Sequence, residues 1–313
     1  MKAAYLTRRA GPEGLEIGNL PQPRPGQGEV LVDVRCAAIT PTEFNWFPTF
    51  RTRNGHPRPF PIVLGHEFSG VIAAVGDAES ASKVGDAVYG MNDWFADGAQ
   101  AEYCVAPATA VASKPRTLDH QKAAVVPISA LTAWQGLFEH CGMKAGERVL
   151  IHGGAGGVGI FAVQSAHWRG AQVIATASSL NLEFVRSIGA DEVIDYKTTR
   201  FERHARDIDV VFDVVGGETL VRSWSVLRPG GRVVTIAAQS EAVSDQRVRE
   251  AFFIVEPNRT QLVEIARLLD AGSIRPFVEA VFPLAEARDA YACAKRGGMR
   301  GKIALQVEVG ETP

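Results

Sequence analysis

Cysteine is scarce in this 313-residue chain: Cys36, Cys104, Cys141 and Cys293 are scattered, and no two have metal-site spacing. That excludes a disulfide framework and a cysteine-rich zinc module, and it fits a reducing cytosol, where cysteine behaves as a small apolar residue. Positive charge is in no excess either, since 33 Lys and Arg face 35 Asp and Glu for a net charge of −2. A nucleic-acid or membrane-surface partner would require a basic surplus. The opening MKAAYLTRRAGPEG lacks the apolar core of a secretory leader. The uncharged run from Val149 to Trp168 is long enough to suggest a membrane span, but it is full of glycine and interrupted by His152, Gln164 and His167. The expectation is a cytoplasmic protein with neither a membrane nor a nucleic-acid partner.

What is present is an ordinary globular composition, 46% apolar and 22% charged, in a length that suggests about two domains. The first third reads as β-rich: Glu29–Val34 alternates after the turn-prone PQPRPGQG, and short apolar runs follow at 71–75 and 86–89. From about Ala123 the rhythm changes. Strand-like runs at 148–153, 172–178, 192–196, 209–215, 232–238 and 251–255 alternate with helix-length segments, which predicts a parallel sheet covered by helices. The chain closes on strand, helix, strand, from IRPFVEAVFPL to KIALQVEV.

Between the first strand and the first helix of that alternating region, five glycines occupy the seven positions 153–159. Gly154, Gly156 and Gly159 match the dinucleotide fingerprint, in which glycine permits the tight turn, close pyrophosphate approach and helix–strand packing. Ala155, Gly157 and Val158 lie in the same cradle. A Walker-type loop would need Lys-Ser/Thr after the last glycine, where Ile160-Phe161 stand. An NAD site usually carries an acid about 20 residues on, at the end of the second strand. Here that strand ends in Ser178, Ser179 and Asn181 with no carboxylate, so NADP(H) is the expected cofactor.

The chain resembles the medium-chain dehydrogenase/reductase superfamily, and within it the zinc-independent quinone-oxidoreductase-like branch. The resemblance rests on PGQGEVLVDV at 25–34, GHEFSGVIAAVG at 65–76, ALTAWQGL at 130–137 and GGAGGVG at 153–159. It continues in GADEVIDY at 189–196, DVVGG at 213–217, LRPGGRVV at 227–234 and GKIAL at 301–305. It implies an α/β fold with a GroES-like β-rich catalytic domain at 1–122 and 270–313. A Rossmann domain with a doubly wound parallel sheet would be inserted at 123–269. It also implies that Thr132, Tyr196, Phe253 and Val255 flank the cofactor. Zinc-dependent members carry a cysteine ligand where this chain has Thr40, and His66 matches a second ligand. The third, near Pro127–Ser129, and the structural-zinc cysteines after Tyr89 are missing. A catalytic zinc needs three protein ligands, so no metal is expected and His66 reads as a structural or substrate-lining residue.

Without a Lewis acid, the accessible chemistry is hydride transfer to an acceptor that spreads the incoming charge itself: a quinone, or an enone or enoyl group. The protein must then place the acceptor and donate hydrogen bonds to its developing oxyanion. Thr40 is the first candidate donor and Asn45 the second. His66, Trp46, Asn92 and Trp94 are expected to line the pocket for this small-molecule substrate, although ordinary packing would explain the tryptophans equally well. The rival reading is an NADPH-binding redox sensor or partner-binding protein of the same fold with little turnover. A homodimer is expected through the run Ala251–Val255, read as an uncovered apolar edge strand.

Overall fold

Alternation that starts at Glu29 continues to Ala38, giving a ten-residue strand buried along most of its length because neighbours cover both faces. The computed structural model describes residues 1–76, 82–237, 240 and 244–307. In its first third the strands are Lys2–Leu6 (β1), Leu15–Asn19 (β2), Glu29–Ala38 (β3), Ile62–Val63 (β4), Glu67–Val75 (β5), Ala87–Met91 (β6), Tyr103–Pro107 (β7) and Val111–Ser113 (β8). A short helix, Phe47–Phe50 (α1), interrupts them. Two more helices, His120–Ala124 (α2) and Pro127–Trp134 (α3), lead into the second region. Asp119 caps α2 by accepting from the Lys122 amide at 2.8 Å, which is why the helix starts there.

The second region alternates as its sequence rhythm requires. Its strands are Arg148–Ile151 (β9), Gln172–Ala177 (β10), Glu192–Asp195 (β11), Ile208–Asp213 (β12) and Leu227–Thr235 (β13). Its helices are Gly157–Trp168 (α4), Leu182–Ser187 (α5), Gly217–Ser223 (α6), Gln246–Ala251 (α7) and Arg259–Asp270 (α8). The five strands form one sheet in the order β11-β10-β9-β12-β13, every pairing parallel. Strand order reverses between β9 and β12. The crevice of a doubly wound sheet opens at the carboxyl ends of the strands at such a reversal, here immediately after Ile151 and Asp213.

The expected sixth strand is not one. Ala251 closes α7, whose start is set by Asp245 accepting from the Arg247 amide at 2.9 Å. Beyond it, Phe252 makes a single parallel bridge to Thr235. Phe253 and Val255 are drawn inward, Phe253 against the His140 ring at 4.3 Å, while Ile254 stays 55% exposed. Inward packing of alternate residues against the α3 side pulls the segment off the sheet edge after one bridge.

The chain then returns to its first region through Val278–Pro283 (β14), Ala287–Lys295 (α9) and Lys302–Gln306 (β15). β15 pairs antiparallel with β3, so the second sheet runs β14-β15-β3-β5-β6-β8, with β7 also on β3. A fully buried tyrosine ties the two regions, its hydroxyl donating from Tyr89 to the Leu262 carbonyl at 2.6 Å. Among the described residues no helix is long and apolar enough to cross a membrane.

Candidate active site

The glycine turn occupies the crevice. Helix α4 begins at Gly157 with Gly156 as N-cap and no side-chain cap, so the first-turn N–H groups are left for an anion. A Cβ on Gly159 would lie 2.1 Å from the Gly153 carbonyl oxygen, which makes glycine obligatory where the helix meets the turn. Underneath, His152 is fully buried, its ring nitrogens 3.2 Å from Thr176 Oγ1 and 2.9 Å from Ser223 Oγ. Burial pushes its pKa down to about 3, so the ring is a neutral prop. The Gly153 amide donates to the same Thr176 hydroxyl. Across the crevice, buried Asp213 accepts from the amides of Val215 and Gly216 and from Thr235 Oγ1, fixing the loop after β12. Burial raises the pKa of this carboxyl. A tight glycine turn, an uncapped helix start and a position at the strand-order reversal fit a dinucleotide.

At the end of β10, Ser178 and Asn181 are buried, and Asn181 Nδ2 reaches Ser178 Oγ at 3.5 Å and the Gly298 carbonyl at 3.2 Å. Ser179 donates to Asp195 Oδ2 at 2.5 Å, and this bond holds the Asp195 carboxyl below its ordinary pKa. That carboxylate was not visible in the linear order around Ser179. Parallel pairing sets Ala177 opposite Asp195 and so delivers an acid from the neighbouring strand. Tyr196 follows it and is 58% exposed. Arg300, 119 residues beyond Asn181, was also missed; it binds Asn181 and the Leu180 carbonyl.

On the other side of the cradle, the segment before β15 docks directly onto the glycine turn. Gly301 bridges Gly156, its amide donating to the Ala155 carbonyl at 3.1 Å. Its φ of +88° and a Cβ position only 2.1 Å from the Phe277 carbonyl admit no side chain. Lys302 then lies over Gly157, forms an ion pair with fully buried Glu67, and places Nζ 3.3 Å from Thr40 Oγ1. The other Glu67 oxygen accepts from the Ile128 amide at 3.0 Å. Burial raises the Glu67 pKa, and the adjacent Lys302 ammonium opposes that shift. Thr132 is buried in α3 with its hydroxyl donating to the Ile128 carbonyl at 2.6 Å.

Beside this group, His66 Nδ1 lies 2.6 Å from Oε1 of Glu43, which is fully buried and also accepts from the Gly65 amide. The His66 ring packs on Trp94 at 5.3 Å, Trp94 meets Trp46 edge-on at 5.0 Å, and Trp94 Nε1 donates to the Val255 carbonyl at 3.0 Å. The Asn92 amide nitrogen of the backbone donates to the His66 carbonyl. The residues expected to line a pocket are therefore neighbours. Two buried polar atoms there, His66 Nε2 and Asn92 Oδ1, have no hydrogen-bond partner among the described residues. Asn45 is exposed at the edge of this group. Glu43, which orients His66, was not singled out as a site residue from the TPTEF run.

The donors present do not fit a catalytic zinc. Thr40 is engaged by an ammonium group, the backbone of Ile128 occupies the third-ligand region, and three of the cysteines are buried in the core. Among the described residues no three His, Cys, Asp or Glu side chains are grouped to hold a metal ion.

Residues 26–116 match the family model for the alcohol dehydrogenase GroES-like domain, and residues 188–305 match the one described as zinc-binding dehydrogenase. Over 97% of its length the chain is 33% identical to 2-methylene-furan-3-one reductase of Solanum lycopersicum, covering 79% of that protein. The solved quinone oxidoreductase of Coxiella burnetii superposes with a TM-score of 0.89 at 29% identity, over 98% of this chain and 99% of that one. A mycobacterial protein solved in complex with NADPH superposes with a TM-score of 0.82 at 29% identity, over 98% and 100%. Some other relatives carry mitochondrial or chloroplastic names.

Proposed function

We propose that this chain, which belongs to the medium-chain dehydrogenase/reductase superfamily and its quinone-oxidoreductase-like branch, reduces a quinone or an α,β-unsaturated carbonyl with NADPH and without a catalytic metal. It is a nicotinamide-dependent oxidoreductase. The observation that carries the finer reading is the run Gly301-Lys302, which ties the glycine cradle to Thr40. When bound, the dinucleotide supplies the hydride. Gly154–Gly159 and the start of α4 would hold its pyrophosphate, Ser178, Ser179, Asn181 and Tyr196 its adenosine end, and Thr132, Phe253 and Val255 its nicotinamide end.

The Lys302 ammonium donates to Thr40 Oγ1, which leaves the threonine's own proton free to point at an acceptor oxygen as negative charge develops there. Glu67 anchors the ammonium, so this donor is set before substrate arrives. The Trp46–Trp94 corner suits a flat conjugated acceptor. A substrate group that met His66 Nε2 or Asn92 Oδ1 would relieve a buried unpaired atom, worth about 1–3 kcal/mol. Asn45, at the rim, is a second donor for parts of the acceptor outside the buried pocket.

We take residues 1–122 with 270–313 as the catalytic unit and 123–269 as the cofactor unit, a division supported by the pairing of β15 with β3. Four free cysteines support a reducing compartment such as the cytosol. The edge strand expected at Ala251–Val255 to carry a homodimer is absent, and exposed Ile254 beside the β13 edge is the observation that supports the dimer.

The test is optical: NADPH oxidation with a panel of quinones and enones, using protein of measured metal content. Turnover that survives a chelator is expected. One tightly held zinc per chain would overturn metal independence, whereas tight NADPH binding with no turnover on any acceptor would favour the binding-protein reading.

A further inference from the structure

Arg300 enters the cofactor unit from outside it. It precedes the Gly301–Ala155 contact, so its backbone is anchored at the glycine turn while its side chain reaches the end of β10. There Nε donates to Asn181 Oδ1 at 2.9 Å and one terminal nitrogen to the Leu180 carbonyl at 3.0 Å. The guanidinium rests on the Phe184 ring, 5.0 Å from its centroid, and Phe184 is itself braced edge-on by Phe277 at 4.8 Å. The backbone amide of Arg300 is fixed by Glu279 Oε2 at 2.9 Å. A guanidinium has five N–H donors in a rigid fork, and these contacts use two of them. The residue is exposed, so the rest can meet an incoming anion.

This place matters because the ribose 2′ position of a dinucleotide falls at the end of the second strand. The serine hydroxyl there, Ser179, is already held by the Asp195 carboxylate at 2.5 Å. An acid at that position favours a bare 2′-hydroxyl and repels a 2′-phosphate. The hydroxyls and amide alone would therefore not select NADPH; a positive charge has to outweigh Asp195. Other cations lie nearby in sequence, Arg186 paired with Glu183, Arg200 paired with Glu202, and Lys197, whose amide is bound to Asp195 Oδ1 at 2.9 Å, but among the described residues only Arg300 is braced on residues 180 and 181.

We propose that Arg300, contributed by the returning C-terminal segment, recognises the 2′-phosphate and is the specificity-determining residue for NADPH, with Asp195 as its opponent. The assignment rests on the NADPH reading above. Because the fork is charged and partly preset, it binds a phosphate by charge-assisted hydrogen bonds that NADH cannot form.

The test measures dissociation constants for NADPH and NADH, by cofactor fluorescence, on the full chain and on Arg300→Gln, Arg300→Lys and Asp195→Asn. Arg300→Gln should weaken NADPH roughly tenfold or more and leave NADH within about twofold, the loss expected of one charge-assisted contact. Arg300→Lys should fall between, keeping charge without the fork. Asp195→Asn should tighten NADPH, and 2′,5′-ADP should compete well with the parent and poorly with Arg300→Gln. Equal loss of both cofactors in Arg300→Gln would mark a merely structural role and overturn the proposal. A parent that prefers NADPH while Arg300→Gln keeps the same ratio also overturns it, leaving the NADPH reading intact. A parent that binds both cofactors alike would instead refute the NADPH reading itself.

Discussion

Replacing Lys302 by methionine keeps the stem that lies over Gly157 and removes only the charge. Glu67 is then left with the Ile128 amide as its remaining partner inside a site from which it is fully excluded from water. Stripping one partner from a buried ion pair costs about 3–5 kcal/mol, because the survivor stays desolvated. Lys302 itself is 11% exposed, which argues for the lower end. At about 2 °C per kcal/mol for a chain of this size, the thermal midpoint should fall by about 6 °C.

The pH dependence gives the discriminating result. Burial already raises the Glu67 pKa, and Lys302 is the first influence that lowers it again. Without Lys302 it rises further. A carboxyl whose folded pKa is raised prefers to be protonated in the folded state, so the stability it lends is present at low pH and lost as pH rises through that folded pKa. The deficit of Lys302→Met should therefore be largest near about pH 8 and shrink towards about pH 5. Adding Glu67→Gln, which removes the charge, should recover most of it. Melting curves of the parent, both single variants and the double variant across that range decide the matter. A deficit that does not change with pH, or a double variant no better than Lys302→Met, would refute the reasoning.

Three further outcomes are expected. Gly159→Ala places a methyl 2.1 Å from a backbone oxygen and should cost about 1–3 kcal/mol together with cofactor binding, whereas the nearest atom to a Cβ at Gly156 is 3.5 Å away and that variant should fold normally; equal melting points for the two would contradict this. His152, held near 3 in the fold by burial but ordinary when unfolded, should drain stability as pH falls from about 6.5 towards about 3, by at most about 1.4 kcal/mol per unit. The stability gap to His152→Asn, measured in urea, should narrow over that range and would tell against the argument if it stayed constant. Light scattering at micromolar concentration should report twice the 33.6 kDa chain mass, and a monomer mass would rule out the dimer.

Local pattern was enough for much of this protein. Gly154, Gly156 and Gly159 between an apolar run and a helical one identified the cradle because that geometry depends on neighbouring residues alone. The strands at Arg148–Ile151, Gln172–Ala177 and Glu192–Asp195 were equally plain, since a parallel strand buried on both faces is a continuous apolar run. Pattern failed at Ala251–Val255, where an apolar run that could have been a strand is pulled away by inward packing of Phe253 and Val255. Apolar character says that a segment will be buried; which surface buries it depends on partners far along the chain.

The charges of the site belong wholly to the tertiary structure. Lys302 meets Glu67 and Thr40 across more than two hundred residues, Asp195 reaches Ser179 through parallel pairing, and Arg300 crosses to Asn181 from the other end of the chain. Read in line, Lys302, Glu67, Asp195 and Arg300 look like ordinary solvated polarity. Electrostatics acts over ångströms of space and is strong only where water is excluded, and linear order specifies neither the distance nor the burial.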